Sequence, residues 1–349
     1  MWEDNVRKVV PYTPGEQPKV SGLIKINTNE NPYPPAPAVE KRLKEMSAED
    51  FRKYPDPTCS ELVDALAEFY GVPSERVFVG VGSDDVLAMA FLTCFNGKDE
   101  VLFPDITYSF YDVWADLFRI PYRQIPLKED FSIDADDYLC KNGGIVIANP
   151  NAPTGVELEH DLLEKIIKNN PDSVVIVDEA YVDFGGTSVL PLIDKYDNLL
   201  VVRTFSKSRS LAGLRIGYAF GQEKLIKYLS DAKFAFNSYT MNRPTLELGT
   251  LSVKDKDYFE KTVSKVIKTR EWTKRELAKR GFVFGDSKTN FVFARHVSVP
   301  RDEIFEKLRE NKILVRKFSG PRVCDYLRIS IGTDEEMQTM MDVLDKILK

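Results

Sequence analysis

The chain has 349 residues, of which 43% are hydrophobic and 29% charged, with a formal net charge of -6. That length buries a large core and predicts two domains, or one domain and a lobe, while the acidic balance excludes a phosphate-tracking surface for nucleic acid as the main partner site. There is no run of about 18 apolar residues to span a bilayer, the charged start (Met1-Trp-Glu-Asp-Asn-Val-Arg-Lys8) lacks an apolar signal region, and four scattered cysteines with only His160 and His296 make no zinc pattern, so a reduced, cytoplasmic protein without a metal is expected.

Residues 1–37 are dense in Pro, Gly and Asn, as in Val10-Pro-Tyr-Thr-Pro-Gly15, which prevents a regular helix. With the buried-type Leu23, Ile24 and Ile26 they predict an ordered arm that packs on the rest of the chain or on another subunit. A short helix is expected over 37–46. An amphipathic one follows over 60–70, where Leu62, Leu66 and Phe69 share a face and Gly71 ends it. A strand at 76–80 runs into the turn Gly82-Ser-Asp-Asp85 and a helix at 86–95; such a turn aims free backbone N–H groups at an anion. Strands are expected at 101–103, 144–148, 174–177, 199–202 and 216–220, with a helix at 108–118. Strands alternating with helices predict an α/β fold, a mostly parallel sheet covered on both faces. After a helix at 225–236, the long helix 258–280, strands at 282–284, 290–294, 313–316 and 326–332, and helices at 301–310 and from Asp334, as its cap, to 349 predict a smaller α+β unit. The expected organisation is an arm (1–37), a large domain (38–240) and a small C-terminal domain (241–349).

Chemistry gathers at the strand ends. Lys207 lies just past the 199–202 strand, in Arg203-Thr-Phe-Ser-Lys-Ser-Arg-Ser-Leu-Ala-Gly-Leu-Arg215, where open α/β sheets place their sites. A lysine among cations deprotonates more readily, and the planar fork of an arginine suits phosphate. Alone, the stretch also reads as a solvated basic loop. Other strand ends add Asn151, Asp178, Tyr181 and Arg215. Pyridoxal phosphate chemistry needs this set of roles. Lys207 would make the Schiff base, and a carboxylate, Asp178, would keep the pyridine nitrogen protonated. Asn151 and Tyr181 would donate to the phenolic oxygen. The N–H groups of Gly82, Ser83 and Asp84, with Ser206 and Arg215, would neutralise the phosphate, and Tyr108 would stack on the ring. Asp178, buried at the end of an apolar strand, calls for a cationic partner.

The motifs Asn27-Thr-Asn-Glu-Asn-Pro, Tyr54-Pro-Asp-Pro, Gly82-Ser-Asp-Asp, Asn149-Pro-Asn-Ala-Pro-Thr-Gly, Asp178-Glu-Ala-Tyr, Ser206-Lys-Ser-Arg-Ser-Leu-Ala-Gly-Leu-Arg and Leu327-Arg-Ile-Ser-Ile-Gly-Thr cover nearly the whole chain. Together they resemble the fold-type I, class I/II aminotransferases, and within them the histidinol-phosphate aminotransferases. The resemblance implies that Lys207 is the Schiff-base lysine and proton carrier, that Asp178, Asn151, Tyr181 and Tyr108 hold the ring, and that Ser83, Asp84, Thr204, Ser206 and Arg215 surround the phosphate. It implies a homodimer in which Tyr54 reaches the phosphate of the neighbouring subunit. It also implies substrate contacts at Asn31 and at Arg328, the arginine for the substrate anion. Histidinol phosphate carries a phosphate ester where other substrates have a carboxylate, so extra donors are needed, and Arg316 and Tyr12 fit that supplement. The implied reaction exchanges an amino group between histidinol phosphate and 2-oxoglutarate in histidine biosynthesis. Threonine-phosphate decarboxylases and aromatic aminotransferases share much the same motifs and are the alternatives. The segment after the lysine is more basic than is common in the family, and Arg209 has no implied role; a solvated or structural one is expected for it.

Overall fold

A computed structural model describes residues 1–349. The strands are β1 (Ile24–Lys25), β2 (Val77–Gly80), β3 (Val101–Pro104), β4 (Tyr122–Ile125), β5 (Gly144–Ala148), β6 (Val175–Asp178), β7 (Leu199–Thr204), β8 (Gly217–Gly221), β9 (Phe282–Phe284), β10 (Phe291–His296), β11 (Ile313–Leu314), β12 (Arg316–Lys317) and β13 (Leu327–Ser330). The helices are α1 (Pro37–Glu45), α2 (Ser60–Tyr70), α3 (Ser83–Cys94), α4 (Tyr111–Phe118), α5 (His160–Asn169), α6 (Glu223–Phe236), α7 (Arg243–Lys254), α8 (Lys256–Lys279), α9 (Arg301–Glu310) and α10 (Asp334–Ile347). None of them is long and apolar enough to cross a membrane.

Seven strands form the main sheet in the order β2-β8-β7-β6-β5-β3-β4. All neighbours are parallel except β8, which runs antiparallel to both β2 and β7. The strands are apolar on both faces because both are covered. Ile145, Ile147, Val175, Val177, Leu199 and Val201 pack into one apolar cluster, with α2, α5 and α7. Val146, Ile176, Leu200 and Val202 pack into another, with α3, α4 and α6. Since β5, β6 and β7 are parallel, their C-terminal ends meet at one edge and deliver Asn149–Asn151, Asp178 and Thr204–Lys207 to the same place.

A second, antiparallel sheet, β12-β13-β10-β9, packs with α8, α9 and α10 around a separate core that includes Phe291, Ile329 and Met340. The arm is tied to it through β1, which pairs in parallel with β11, and is braced internally by the Asn27 side chain, which donates to the Glu16 carbonyl at 2.9 Å. At its other end Tyr12 stacks on Phe110 of the main unit at 4.2 Å between ring centroids.

Several elements differ from the sequence expectation. The amphipathic helix α5 and the edge strand β4 were not anticipated; β4 carries the exposed polar Arg123 and Gln124 at its centre and so shows no apolar run. Helix α7, opened by Asn242 accepting from the Thr245 N–H at 2.9 Å, packs Leu246, Leu248 and Val253 into the core of the main sheet. Helix α3 begins at Ser83, three residues ahead of the expected start, so the polar turn is itself its first turn. The cap of α10 is Thr333 and not Asp334: its hydroxyl accepts from Glu336 N–H at 3.2 Å while Glu336 accepts from the Thr333 N–H at 2.8 Å.

Candidate active site

A cleft of about 840 Å³ opens at the C-terminal edge of the main sheet and is walled by Ser83, Asp84, Tyr108, Asp178, Tyr181, Thr204, Ser206, Lys207 and Arg215, with Gln17, Thr28 and Glu30 from the arm. Each residue arrives for a local reason. Gly82 takes φ +85°, and a Cβ there would lie 2.4 Å from the Arg215 guanidinium; a Cβ on Gly217 would lie 2.2 Å from the Gly82 backbone. The two glycines let Arg215, itself left-handed at φ 55°, close over the start of α3. No protein acceptor takes the N–H groups of Ser83 or Asp84, which open that helix. The Asp84 side chain is already engaged: it accepts from the Tyr108 hydroxyl at 2.6 Å and from Arg215 Nη2 at 3.0 Å. It is therefore the backbone of Asp84, not its carboxylate, that suits an anion. Thr204 donates to Ser206 Oγ at 3.0 Å, holding both hydroxyls at the same wall.

Asp178 is buried and has only two donors, the Tyr111 hydroxyl at 2.9 Å and the Ala180 N–H at 3.2 Å. No cation pairs with it. Burial pushes its carboxyl up to about 6, against the lowering effect of those two hydrogen bonds. No side chain of the protein is thus the cationic partner that Asp178 calls for, and the Tyr111 hydroxyl, whose role the sequence did not signal, is its one side-chain donor.

Lys207 donates no hydrogen bond and makes no ion pair; its Nζ stands 5.7 Å from the centroid of the Tyr181 ring. The Tyr181 hydroxyl accepts from Asn29 Nδ2 at 2.9 Å. Asn29 is a further residue the sequence reading did not single out. It sits at φ 57°, and its Oδ1 accepts from Ser330 Oγ at 2.7 Å, so one buried side chain joins Tyr181 to the strand that carries Arg328. Its place inside the Asn27–Pro32 motif was the available signal.

Two residues expected to meet a ligand are hydrogen-bonded within the chain. Asn151 is buried and its amide donates to the Ile106 carbonyl at 2.9 Å and to Thr154 Oγ1 at 3.0 Å, while its Oδ1 accepts from Thr107 at 2.8 Å. Asn31 donates to the carbonyls of Lys207 and Ser208 at 3.0 and 3.2 Å. These bonds shape the lysine loop. Tyr54 lies outside the cleft, 83% exposed and 4.7 Å from the Tyr239 ring.

Arg328 and Arg316 face each other across β13 and β12. Arg328 Nη2 donates to the Asn27 carbonyl at 3.2 Å, its Nε is buried with no partner, and Phe291 and Phe318 flank it at 5.3 and 5.5 Å. Burial, then the like charge of Arg316, lower its pKa from the ordinary arginine value. Arg316 donates to the Thr13 carbonyl at 3.2 Å and has no carboxylate partner either. Tyr12 is close enough to Arg328 to oppose that lowering.

The sequence profile of the family described as aminotransferase class I and II matches residues 21–344. A histidinol-phosphate aminotransferase of Lactococcus lactis subsp. cremoris (strain SK11) is 51% identical over 348 residues, covering 100% of this chain and 98% of the relative. The chain belongs to the class I and II aminotransferases, in the histidinol-phosphate aminotransferase family. Among solved structures, a Sinorhizobium meliloti histidinol-phosphate aminotransferase in complex with pyridoxal-5'-phosphate matches with a TM-score of 0.84 at 24% identity, over 93% of this chain and 90% of that one. An L-threonine-O-3-phosphate decarboxylase from Porphyromonas gingivalis matches with 0.79 at 22% identity, over 93% and 99%. Two chemistries share this fold, so the likeness in shape establishes the fold, and the family rests on the sequence.

Proposed function

We propose that the protein moves an amino group between L-histidinol phosphate and 2-oxoglutarate, with pyridoxal 5'-phosphate as its resident cofactor, in histidine biosynthesis. The observation that carries the substrate reading is the facing pair Arg328 and Arg316, two guanidinium groups on adjacent strands with no counter-charge. Like charges set opposite each other in a sheet are unfavourable. A phosphate dianion removes that cost, and a carboxylate removes part of it.

The cofactor fits the donor set. The glycine cradle, the free N–H groups of Ser83 and Asp84 and the Thr204, Ser206 and Arg215 side chains suit its phosphate. Asp178, a buried carboxylate without a cation, suits a protonated ring nitrogen. Bound there, pyridoxal phosphate supplies a carbonyl that takes the amine and a ring that delocalises the electron pair left at the substrate α-carbon.

The work of the chain is binding and proton handling. Asp178 fixes the protonation of the group it faces. Tyr108 closes one side of the cleft, and Asn29 holds the Tyr181 hydroxyl. Lys207 Nζ, free of hydrogen bonds, would take the α-proton of the amine donor in one half-reaction and give a proton to the α-carbon of the acceptor in the other. Arg328 holds the anion of either substrate, and Arg316 and Tyr12 supplement it for the phosphate. Because one cleft serves both amine donor and acceptor, the two substrates bind in turn.

We read the protein as a homodimer acting in the cytoplasm. Tyr54, Phe51 and Phe236 are exposed apolar rings near one another in sequence or contact with Tyr239, and Tyr54 on one copy is proposed to reach the phosphate site of the other. Four unpaired cysteines suit a reducing compartment.

The test is the absorbance of the loaded protein mixed separately with histidinol phosphate, phenylalanine and threonine phosphate. A stoichiometric change with histidinol phosphate, reversed by 2-oxoglutarate, is the expected result. A change with phenylalanine alone would make it an aromatic aminotransferase, and CO2 release from threonine phosphate a lyase.

A further inference from the structure

Arg209 was expected to be solvated or structural, and it is buried, at 4% exposure. Its guanidinium carbon lies 4.2 Å from the centroid of Phe259, 4.7 Å from Phe69 and 5.3 Å from Phe205. Nη1 donates to the Ser252 carbonyl at 2.9 Å, Nη2 is buried with no partner, and no carboxylate stands within ion-pair distance. The cage therefore draws on α2, α7, α8 and the end of β7 at once. Two residues earlier in the chain is Lys207, whose amine makes no hydrogen bond of its own, so the place of that amine is inherited from its backbone. The backbone has three anchors. Asn31 holds the Lys207 and Ser208 carbonyls, the Ser208 hydroxyl donates to Asp183 at 2.5 Å, and the Arg209 side chain is the third.

We propose that Arg209 is a positioning residue, which sets the Lys207 amine by clamping the loop that carries it to α7 and α8. The proposal rests on reading Lys207 as the amine that handles the proton. The energetic argument is one of alternatives. An apolar side chain of similar length would fill an aromatic cage without desolvating a charge, and buried charges replaced in this way often leave a protein as stable or more stable. What the guanidinium adds is direction: one hydrogen bond to a fixed helix carbonyl, and a planar cation held against three ring faces. Direction matters little to packing and much to a reacting atom, for which small misplacements lower the rate steeply.

The experiment compares Arg209→Met and Arg209→Lys with the parent protein in full-length form. For Arg209→Met the expected result is an unchanged or raised melting temperature. In the loaded enzyme kcat falls on the order of tenfold to a hundredfold, with KM within about twofold. In the cofactor-free protein, the rate at which an amine-acylating reagent modifies Lys207, followed by peptide mass, shifts severalfold while other lysines keep theirs. Arg209→Lys restores part of both. Unchanged kcat and unchanged Lys207 labelling would make Arg209 a packing residue and overturn the proposal. So would a fall in kcat in both variants that simply follows lost melting temperature and lost cofactor content. If the parent protein fails to turn over histidinol phosphate, the substrate reading falls, but the labelling comparison still decides the role of Arg209.

Discussion

Two sets of charges lie at the C-terminal end of the main sheet, and they are treated in opposite ways. Under the cleft, Arg203 meets Glu179 at 2.8 Å and donates to Ser188 at 2.7 Å, with Asp183 at 3.6 Å and the Tyr70 ring at 4.9 Å. Glu179 also accepts from the Val189 N–H at 2.7 Å and the Ser188 hydroxyl at 2.8 Å. In the cleft itself, Asp178 and Lys207 are without charged partners. Asp178 and Glu179 are neighbours in sequence and both buried, so burial alone does not separate them. The direction does: strand alternation sends one carboxylate toward Arg203 and the other into the open site. At this edge the paired charges serve the fold and the unpaired ones that line the cleft point to a ligand, whereas the unpaired Arg209 lies away from the cleft in its aromatic cage.

That division is tested first where the effect is largest. Lys207→Ala is expected to lower turnover by about 10⁴-fold and to leave the denaturant midpoint within the range of a surface change, about 0.5 kcal/mol. A variant with parent-like turnover would break the assignment outright. Glu179→Ala should do the reverse. It leaves Arg203 buried with only the more distant Asp183, at 3.6 Å, as a charged neighbour, at a cost of about 3 kcal/mol of folding stability, read from urea denaturation. If the cofactor-loaded Glu179→Ala protein proved as stable as the parent but inactive, the network under the cleft would belong to the chemistry after all.

Asp178→Asn sharpens the comparison through pH. A carboxyl raised to about 6 in the fold from 3.8 disfavours its ionised form. Without cofactor the folded state therefore loses stability as pH rises between those values, because it holds a proton the unfolded chain has released. The shift corresponds to at most about 3 kcal/mol. Cofactor-free Asp178→Asn should be more stable than the parent by an amount of that order at pH 7.5, with the gap closing by pH 4. Added cofactor should reverse the ranking, since only the carboxylate gains a charged partner. A gap that does not depend on pH would mean that Asp178 is already neutral for another reason.

How much of this was legible in the sequence follows from how local each feature is. The parallel strands announced themselves through unbroken apolar runs, and Lys207, Asp178 and Arg215 through their place just past strand ends. Edge strand β4 and helices α5 and α7 escaped because no apolar run of strand type marks them and their polar faces dominate the reading. Asn29 and Tyr111 escaped for a different reason. Each acts through a contact 67 or more residues away in the chain, to Asp178 for Tyr111 and to Tyr181 and Ser330 for Asn29, and no local pattern encodes that. At Asn151 and Asn31, read as ligand contacts, the fold also engages both side-chain amides with backbone carbonyls and a threonine, which the residue type alone does not announce. Arg209 shows the same limit, since nothing in a basic loop foretells three aromatic rings from three elements.

The smallest effect separates the two facing arginines. Arg328 is flanked by two rings and lacks a partner for its buried Nε, so its removal should weaken both half-reactions, by roughly 10- to 100-fold for charge-assisted bonds of about 1.5–3 kcal/mol. Arg316 gives Nη2 to the Thr13 carbonyl. Its charge matters most to a dianion, which still carries excess charge after one guanidinium has paired. Arg316→Ala is therefore expected to cost the histidinol phosphate half-reaction about tenfold and the glutamate half-reaction about twofold, measured by rapid mixing with each substrate alone. Raising the ionic strength should shrink the first loss more than the second, because screening acts on the longer-range part of the attraction. Equal losses in both half-reactions would mean that Arg316 supports Arg328 through the sheet and does not meet the phosphate, and the extra charge of the substrate would then need another partner.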